Sequence, residues 1–171
     1  MEILIRALAK SDNRKVFHCG NKELDHFFHR YAGQNQFRHH IGVTYVAIDS
    51  EENNILGYAT VATGSIEAGE LPSGQYPNNY QLPILRLGRL AVDKDEQGKG
   101  IAKKLLCYSL KLAINQKKTV GCVGVIVDAK PDTISFYEQY GFQKIEDIWE
   151  GQMKGYPEIT PMFLSLKSIH S

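Results

Sequence analysis

Residues 97–102, Gln-Gly-Lys-Gly-Ile-Ala, join a glycine-rich turn to a segment in which Ile101, Leu105, Tyr108 and Leu112 recur at helical spacing. Glycine lacks the Cβ that would hold an anion away, and the first amides of a helix have no partner within it. A strand running through such a loop into a helix N-terminus is a cradle for phosphate. The strand lies just upstream, where Leu85, Leu87, Leu90, Ala91 and Val92 form a β-prone run ending in the charged turn Asp93-Lys94-Asp95-Glu96. The glycine spacing is neither a P-loop nor a full G-x-G-x-x-G, and a tight turn without a ligand satisfies the same residues. A second group able to move a proton is the phenol of Tyr137, in Phe136-Tyr137-Glu138-Gln139-Tyr140-Gly141-Phe142. Spacing alone reads Tyr137 equally as an acid and as a core aromatic, with Tyr140 the second choice.

The elements that must position these groups fit one α/β domain over residues 1–171, with hydrophobic content of 43% and charged content of 23%. No apolar run approaches the length of a membrane span, and Met1-Glu2-Ile3 does not open a signal peptide. The three cysteines (Cys19, Cys107, Cys122) lack C-x-x-C pairing and read as free thiols of a cytoplasmic protein. A net charge of +1 gives no global basic footprint, so any nucleic-acid contact rests on a local patch.

Residues 2–8 fit a first strand, and Asn21 is a good N-cap for a helix with Leu24, Phe27, Phe28 and Tyr31 on its core face. The other face carries His26, His29 and Arg30, followed by Gln34, Asn35, Gln36, Arg38, His39 and His40, a solvated or substrate-facing surface. Adjacent histidines diverge on a helix, and His39-His40 has no further ligand at spacing for a metal. Residues 43–49 and 55–66 read as a hairpin, 67–83 as an irregular connection, and 100–117 as a helix. A buried strand is expected over 120–128, a helix from Pro131 to Gly141, and final strands over 142–149 and 160–167. The order is βα-ββ-β-α-β-α-ββ, a mixed sheet of about six to seven strands flanked by helices.

Gln97-x-x-Gly100-x-Ala102 resembles the Q/R-x-x-G-x-G/A signature of the GNAT acetyltransferases, and residues 136–142 resemble their F-Y-x-x-x-G-F element. Phe17-His18-Cys19-Gly20-Asn21, Tyr31-Ala32-x-Gln34-Asn35-Gln36, Leu56-Gly57-Tyr58, Glu70-Leu71-Pro72, residues 87–93 and Pro161-Met162-Phe163-Leu164 resemble one GNAT branch. That branch contains toxins of toxin–antitoxin pairs that acetylate the amino acid on charged tRNA.

The resemblance implies a GNAT fold and direct acetyl transfer from acetyl-CoA (coenzyme A) to a primary amine. The implied acceptor is the α-amine of an aminoacyl-tRNA, with an antitoxin as protein partner and no membrane. Gln97, Gly98, Lys99, Gly100, Ile101 and Ala102 would hold the pyrophosphate, and the backbone of Leu90, Ala91 and Val92, splayed by a bulge, the pantetheine. The N–H of Val92 would stabilise the oxyanion, and Tyr137 would protonate the thiolate. For RNA the cations are Arg89, Arg38 and Arg30, then Arg86, with Arg14 and Lys15 further off; Lys94, Lys99, Lys103 and Lys104 suit coenzyme A phosphates. Glu67, Glu70 and Asp93 are the available carboxylate bases, each as readily a solvated loop residue. A site without a strong base suits an α-amine, whose pKa near 7.7–8.0 leaves it partly neutral. Two departures from the family are Lys130, in place of an asparagine, and a long loop over 150–158. The alternatives are a small-molecule amine, a peptide N-terminus or a lysine as acceptor, or a non-catalytic acyl-CoA-binding module. Exposed edges of the last strands allow a homodimer.

Overall fold

The computed structural model describes residues 1–71, 76–77, 80–145 and 159–169. Its strands are β1 (Ile3–Ala7), β2 (Val43–Asp49), β3 (Ile55–Glu67), β4 (Gln81–Val92), β5 (Gly124–Ala129), β6 (Gln143–Lys144) and β7 (Thr160–Ser165). They make a seven-stranded sheet in the order β1-β2-β3-β4-β5-β7-β6. The helices are α1 (Lys22–Arg30), α2 (Ala32–Gln34), α3 (Ile101–Thr119) and α4 (Ile134–Gln139). Neighbours β4 and β5 are joined through α3, the crossover that parallel strands need, whereas β1–β2, β2–β3, β5–β7 and β6–β7 pair antiparallel. The sheet is therefore mixed, as expected. The chain divides into two compact units, Met1–Ala62 with Leu87–Lys111 and Thr63–Arg86 with Leu112–Ser171.

In the first unit Asn21 caps α1, its Oδ1 accepting from the Leu24 amide at 3.1 Å. Glu23 and Asp25 lie in the first turn and His29 and Arg30 in the last, the arrangement the helix dipole favours. Phe27 and Phe28 are buried, with the Phe28 ring stacked 4.5 Å from Tyr58 and Phe17 edge-on to Phe28 at 5.0 Å. The Tyr58 hydroxyl donates to the Leu24 carbonyl at 2.7 Å, so this buried phenol is satisfied.

Tyr31 was expected on the same core face and is instead 41% exposed. It caps α1, and the break in the helix before Ala32 turns its ring against His26, 5.4 Å away. Residues Asn35–His39 wind as a π-helix closed by His40 at φ 56°. Gln36, expected on a polar surface, bridges two strand regions. Its Nε2 donates to the Leu8 carbonyl at 3.0 Å, and its Oε1 accepts from the Thr44 amide at 2.9 Å.

In the second unit the strand expected from residue 120 begins at Gly124. The amides of Val120 and Gly121 donate to the Gln116 carbonyl at 2.9 and 2.8 Å, and Gly121 turns left-handed at φ 102°. That closure uses up the intervening residues and leaves Val120 80% exposed. The last strand stops at Ser165, whose hydroxyl accepts from the Lys167 amide and turns the chain into the 3-10 turn Leu166–Ser168. β7 lies inside the sheet, and β6 is the edge. Within the 67–83 connection, Ala68–Glu70 forms a 3-10 turn and β4 already begins at Gln81, while 72–75 and 78–79 lie outside the described residues. So do residues 146–149 of the strand expected over 142–149, and the 150–158 loop. No helix among the described residues is long and apolar enough to cross a membrane.

Gly57 is where packing leaves no freedom. A Cβ there would lie 2.8 Å from the Ala91 carbonyl and 3.1 Å from Ile101 and Leu105. The first neighbour is backbone and cannot rotate away. Gly57→Ala should lower unfolding free energy by about 1–3 kcal/mol, the usual cost of overpacking, as read from denaturant midpoints.

Candidate active site

The turn after β4 is built by Asp93. Its Oδ1 accepts from the Asp95 amide at 3.0 Å and its carbonyl from the Glu96 amide at 2.9 Å, forming the 3-10 turn Lys94–Glu96. Gly98 and Gly100 then take φ values of +83° and +82°, in the left-handed region that side chains other than glycine rarely adopt. A Cβ at either would meet nothing within 4 Å, so the space before both is open. Among the described residues no acceptor takes the amides of Gly98, Lys99, Gly100, Ile101 or Ala102. Ile101 is buried and anchors α3, while Gln97, Gly98, Lys99 and Gly100 are exposed and Ala102 is half-buried. The Lys99 ammonium sits 2.8 Å from Glu96. Such a loop offers uncovered N–H groups to an anion.

The loop is tethered to the segment before α1. Gln97 Nε2 donates to the Cys19 carbonyl at 3.1 Å and to the Val92 carbonyl at 3.2 Å. The Lys94 amide donates to the His18 carbonyl at 2.9 Å, and the His18 amide to Asp93 Oδ2 at 3.4 Å. Gln97 thus acts through its amide nitrogen as a strut. No periodicity or motif signals that role, because its partners are backbone carbonyls, one of them far off in sequence. Asp93, weighed as a base, is a cap for two turns. Burial pushes the Cys19 thiol up to about 11, which keeps it neutral.

Leu90 and Val92 are half-buried and Ala91 is buried. Arg89, before them on β4, is exposed, with its guanidinium carbon 3.7 Å from the centre of the Phe27 ring. Arg30 is exposed one turn beyond Phe27, and Arg38 is exposed in the π-helix. Among the described residues none of the three has a carboxylate partner. Two other cations have partners within the chain. Arg86 Nη1 bridges both oxygens of Asp128 at 3.0 and 3.1 Å, and Arg14 reaches the Phe28 carbonyl at 3.4 Å beside Gly33. Glu67 accepts from Gln81, and burial followed by the Glu67 charge raises the pKa of Glu70. No group of three or more metal-ligating side chains converges among the described residues.

Tyr137 lies in the second unit, on α4. Pro131–Thr133 leads into that helix from Lys130, and Gly141, at φ 95°, ends it. Tyr137 is 6% exposed, with Phe136 and Phe142 edge-on at 5.2 and 5.5 Å. Its hydroxyl has no hydrogen-bond partner among the described residues, unlike that of Tyr58. Burial above all, then the Asp128 carboxylate, pushes the phenol above its ordinary pKa, so it keeps its proton throughout the neutral range. Tyr140 is half-buried against Phe136 at 5.2 Å.

Residues 15–166 match the model of the acetyltransferase (GNAT) domain. A tRNA-acetylating toxin of Mycobacterium tuberculosis is 26% identical over 141 residues, which cover 81% of this chain and 82% of the relative. The structure of AtaT complexed with acetyl-methionyl-tRNAfMet superposes with a TM-score of 0.83 at 25% identity, covering 98% of this chain and 96% of that one. A tyrosine-to-phenylalanine mutant of KacT does so with a TM-score of 0.83 at 26% identity, covering 98% and 97%. The strand order, the glycine cradle and a match spanning most of its length agree: the chain belongs to the GNAT acetyltransferase family.

Proposed function

We propose that this protein transfers the acetyl group of acetyl-CoA to the α-amine of an aminoacyl-tRNA. It would act in the cytoplasm as a translation-inhibiting toxin controlled by an antitoxin. The observation that carries the reading is the loop at Gly98 and Gly100, which leaves the first amides of α3 uncovered before open space. The acceptor is supported by the tRNA-acetylating relative and by the likeness to AtaT complexed with acetyl-methionyl-tRNAfMet. The donor and the protein partner are supported by the likeness to AtaTR bound with AcCoA, at 26% identity and a TM-score of 0.79.

Acetyl-CoA supplies an acyl group already activated as a thioester. The amides of 98–102 hold its pyrophosphate, and the backbone of Leu90, Ala91 and Val92 its pantetheine arm. The Val92 N–H donates to the carbonyl oxygen as charge builds there, a contribution of about 2.7–4 kcal/mol for donors of this kind. Tyr137 holds the proton that the departing sulfur takes. The buried hydroxyl, without a partner among the described residues, supports this role, because a phenol of purely structural use is normally satisfied, as Tyr58 is. The nucleophile needs little help, since an α-amine with a pKa near 7.7–8.0 is partly neutral at physiological pH, whereas a lysine near 10.4 is not. Arg89, Arg38 and Arg30 meet the acceptor.

Acetyl transfer from labelled acetyl-CoA to bulk charged tRNA tests the reading. Label should be recovered as N-acetyl amino acid after ester hydrolysis, and uncharged tRNA should take none. Tyr137→Phe should lower kcat by about 10²- to 10⁴-fold with coenzyme A binding retained. A variant of undiminished turnover would remove Tyr137 from the chemistry.

The pH dependence has a determined sign. Burial raises the Tyr137 pKa, so its acid form persists to higher pH than a free phenol's. The rate at limiting charged tRNA should rise with the free amine to about pH 8 and stay level to about pH 10. A rate still climbing tenfold per pH unit above pH 9 would overturn a profile set by the free α-amine alone.

A further inference from the structure

The environment of Arg89 goes beyond that of a cation beside a nucleic acid. Its guanidinium carbon lies 3.7 Å from the centre of the Phe27 ring. That is the contact distance of two flat groups lying face to face, the stacked arrangement arginine adopts on aromatic rings. The ring beneath cannot shift. Phe27 is 6% exposed and packs beside Tyr58 at 6.3 Å, in the core formed by Phe17, Phe28 and Ala91. With one face of the guanidinium covered by Phe27 and no carboxylate partner among the described residues, the exposure of Arg89 belongs to its other face and edges. A planar cation held flat on a rigid ring, open above, is a stacking surface.

We propose that Arg89 on Phe27 is the platform for the nucleobase next to the aminoacyl ester, the adenine that ends every tRNA. The inference rests on the aminoacyl-tRNA reading above and assigns a subsite within it. Arg89 stands three residues before Val92 on β4, about 10 Å along a strand at its usual rise. The platform and the proposed oxyanion donor thus stand on the same strand, close enough in sequence for one acceptor end to meet both. Sequence-tolerant recognition of single-stranded ends uses such surfaces, because every base has a π-face and guanidinium planes stack on it. A phosphate contact alone would need charge and not flatness. Recognition at the last base leaves the rest of the RNA to looser contacts, which suits a chain of net charge +1.

The test separates plane from charge. The substrates are an aminoacyl-adenosine and the methyl ester of the same amino acid, which has the same amine and no base. Charged tRNA accompanies both. In wild type kcat/KM should favour the aminoacyl-adenosine. Arg89→Lys keeps the charge and loses the plane. It should reduce that preference by about 5- to 150-fold, the equivalent of one base stack, mainly through KM. Its dependence of KM on salt with charged tRNA should match that of wild type, since no charge is removed. A preference retained in both Arg89→Lys and Arg89→Met, with the salt dependence for charged tRNA flattened in Arg89→Met alone, would make Arg89 a phosphate contact and overturn the platform. So would a wild type that acetylates charged tRNA yet shows no preference for the adenosine. A wild type that acetylates neither charged tRNA nor aminoacyl-adenosine, while acetylating other amines, would overturn the platform together with the acceptor reading.

Discussion

The first unit depends on the hydrogen bonds that fasten the turn after β4 to the turn before α1. The His18 carbonyl receives the Lys94 amide, the Asp93 carboxylate receives the His18 amide, and Gln97 bridges the carbonyls of Cys19 and Val92. On the far side, Asp25 Oδ1 accepts from the Cys19 amide at 2.8 Å, which ties the same turn into α1. A glycine loop left to itself would sample many conformations, and ordering it on ligand binding would cost entropy. Here its entrance is held by partners from a distant segment, so the amides that face the open space are in place beforehand. Preorganised donors of this kind need no rearrangement at the moment charge arrives.

The same tether couples two surfaces that serve different ligands in the proposed reaction. α1 carries Phe27 beneath Arg89, and the segment that caps α1 carries the struts to the glycine loop. Both rest on one aromatic core in which Tyr58 stacks on Phe28 and donates to the Leu24 carbonyl. Gly57, next to Tyr58, lets the Ala91 carbonyl approach from the other side. Leu56-Gly57-Tyr58 therefore combines an outward backbone contact through Leu56, whose carbonyl accepts the Asp93 amide at 2.8 Å, a close approach and an anchor in three consecutive residues.

Much of this was legible from local chemistry. Asn21 as a cap, Gly141 as a stop, the amphipathic α3 and the tight turn through the left-handed Gly98 and Gly100 each follow from short-range rules, and the structure places them so. The misses have two causes, helix ends that close one residue differently from the pattern and partners remote in sequence. Val120 looks like strand because it is β-branched, but the Gln116 carbonyl collects its amide to close α3. Tyr31 fits the core face by count, yet the helix breaks beneath it. Arg86 and Arg89 sit three apart on one strand, and both are candidates for RNA in the sequence, Arg89 the first of them. Only the fold shows that Asp128 holds Arg86 while Phe27 supports Arg89. Gln97 belongs to a motif read as anion-binding, and its strut to Cys19 spans most of the first unit's sequence.

The raised pKa of Tyr137 bears on whether a phenol can serve as the acid at all. In water a phenol near 10 and a thiol near 8.5 are matched closely enough for transfer as the carbon–sulfur bond breaks. Burial pushes the phenol up, which by itself weakens it as a donor. Desolvation, however, penalises every anion, and a thiolate leaving into a water-poor site is raised by the same cause. This chain shows both halves of that statement, since burial is the leading influence that raises the Cys19 thiol as well as the Tyr58 and Tyr137 phenols. Proton transfer depends on the difference between donor and acceptor, not on either value alone. In the proposed reaction, a phenol and a thiolate desolvated alike would keep roughly the gap they have in water. Burial also keeps the Tyr137 phenol protonated throughout the neutral range, as the proposed acid must be.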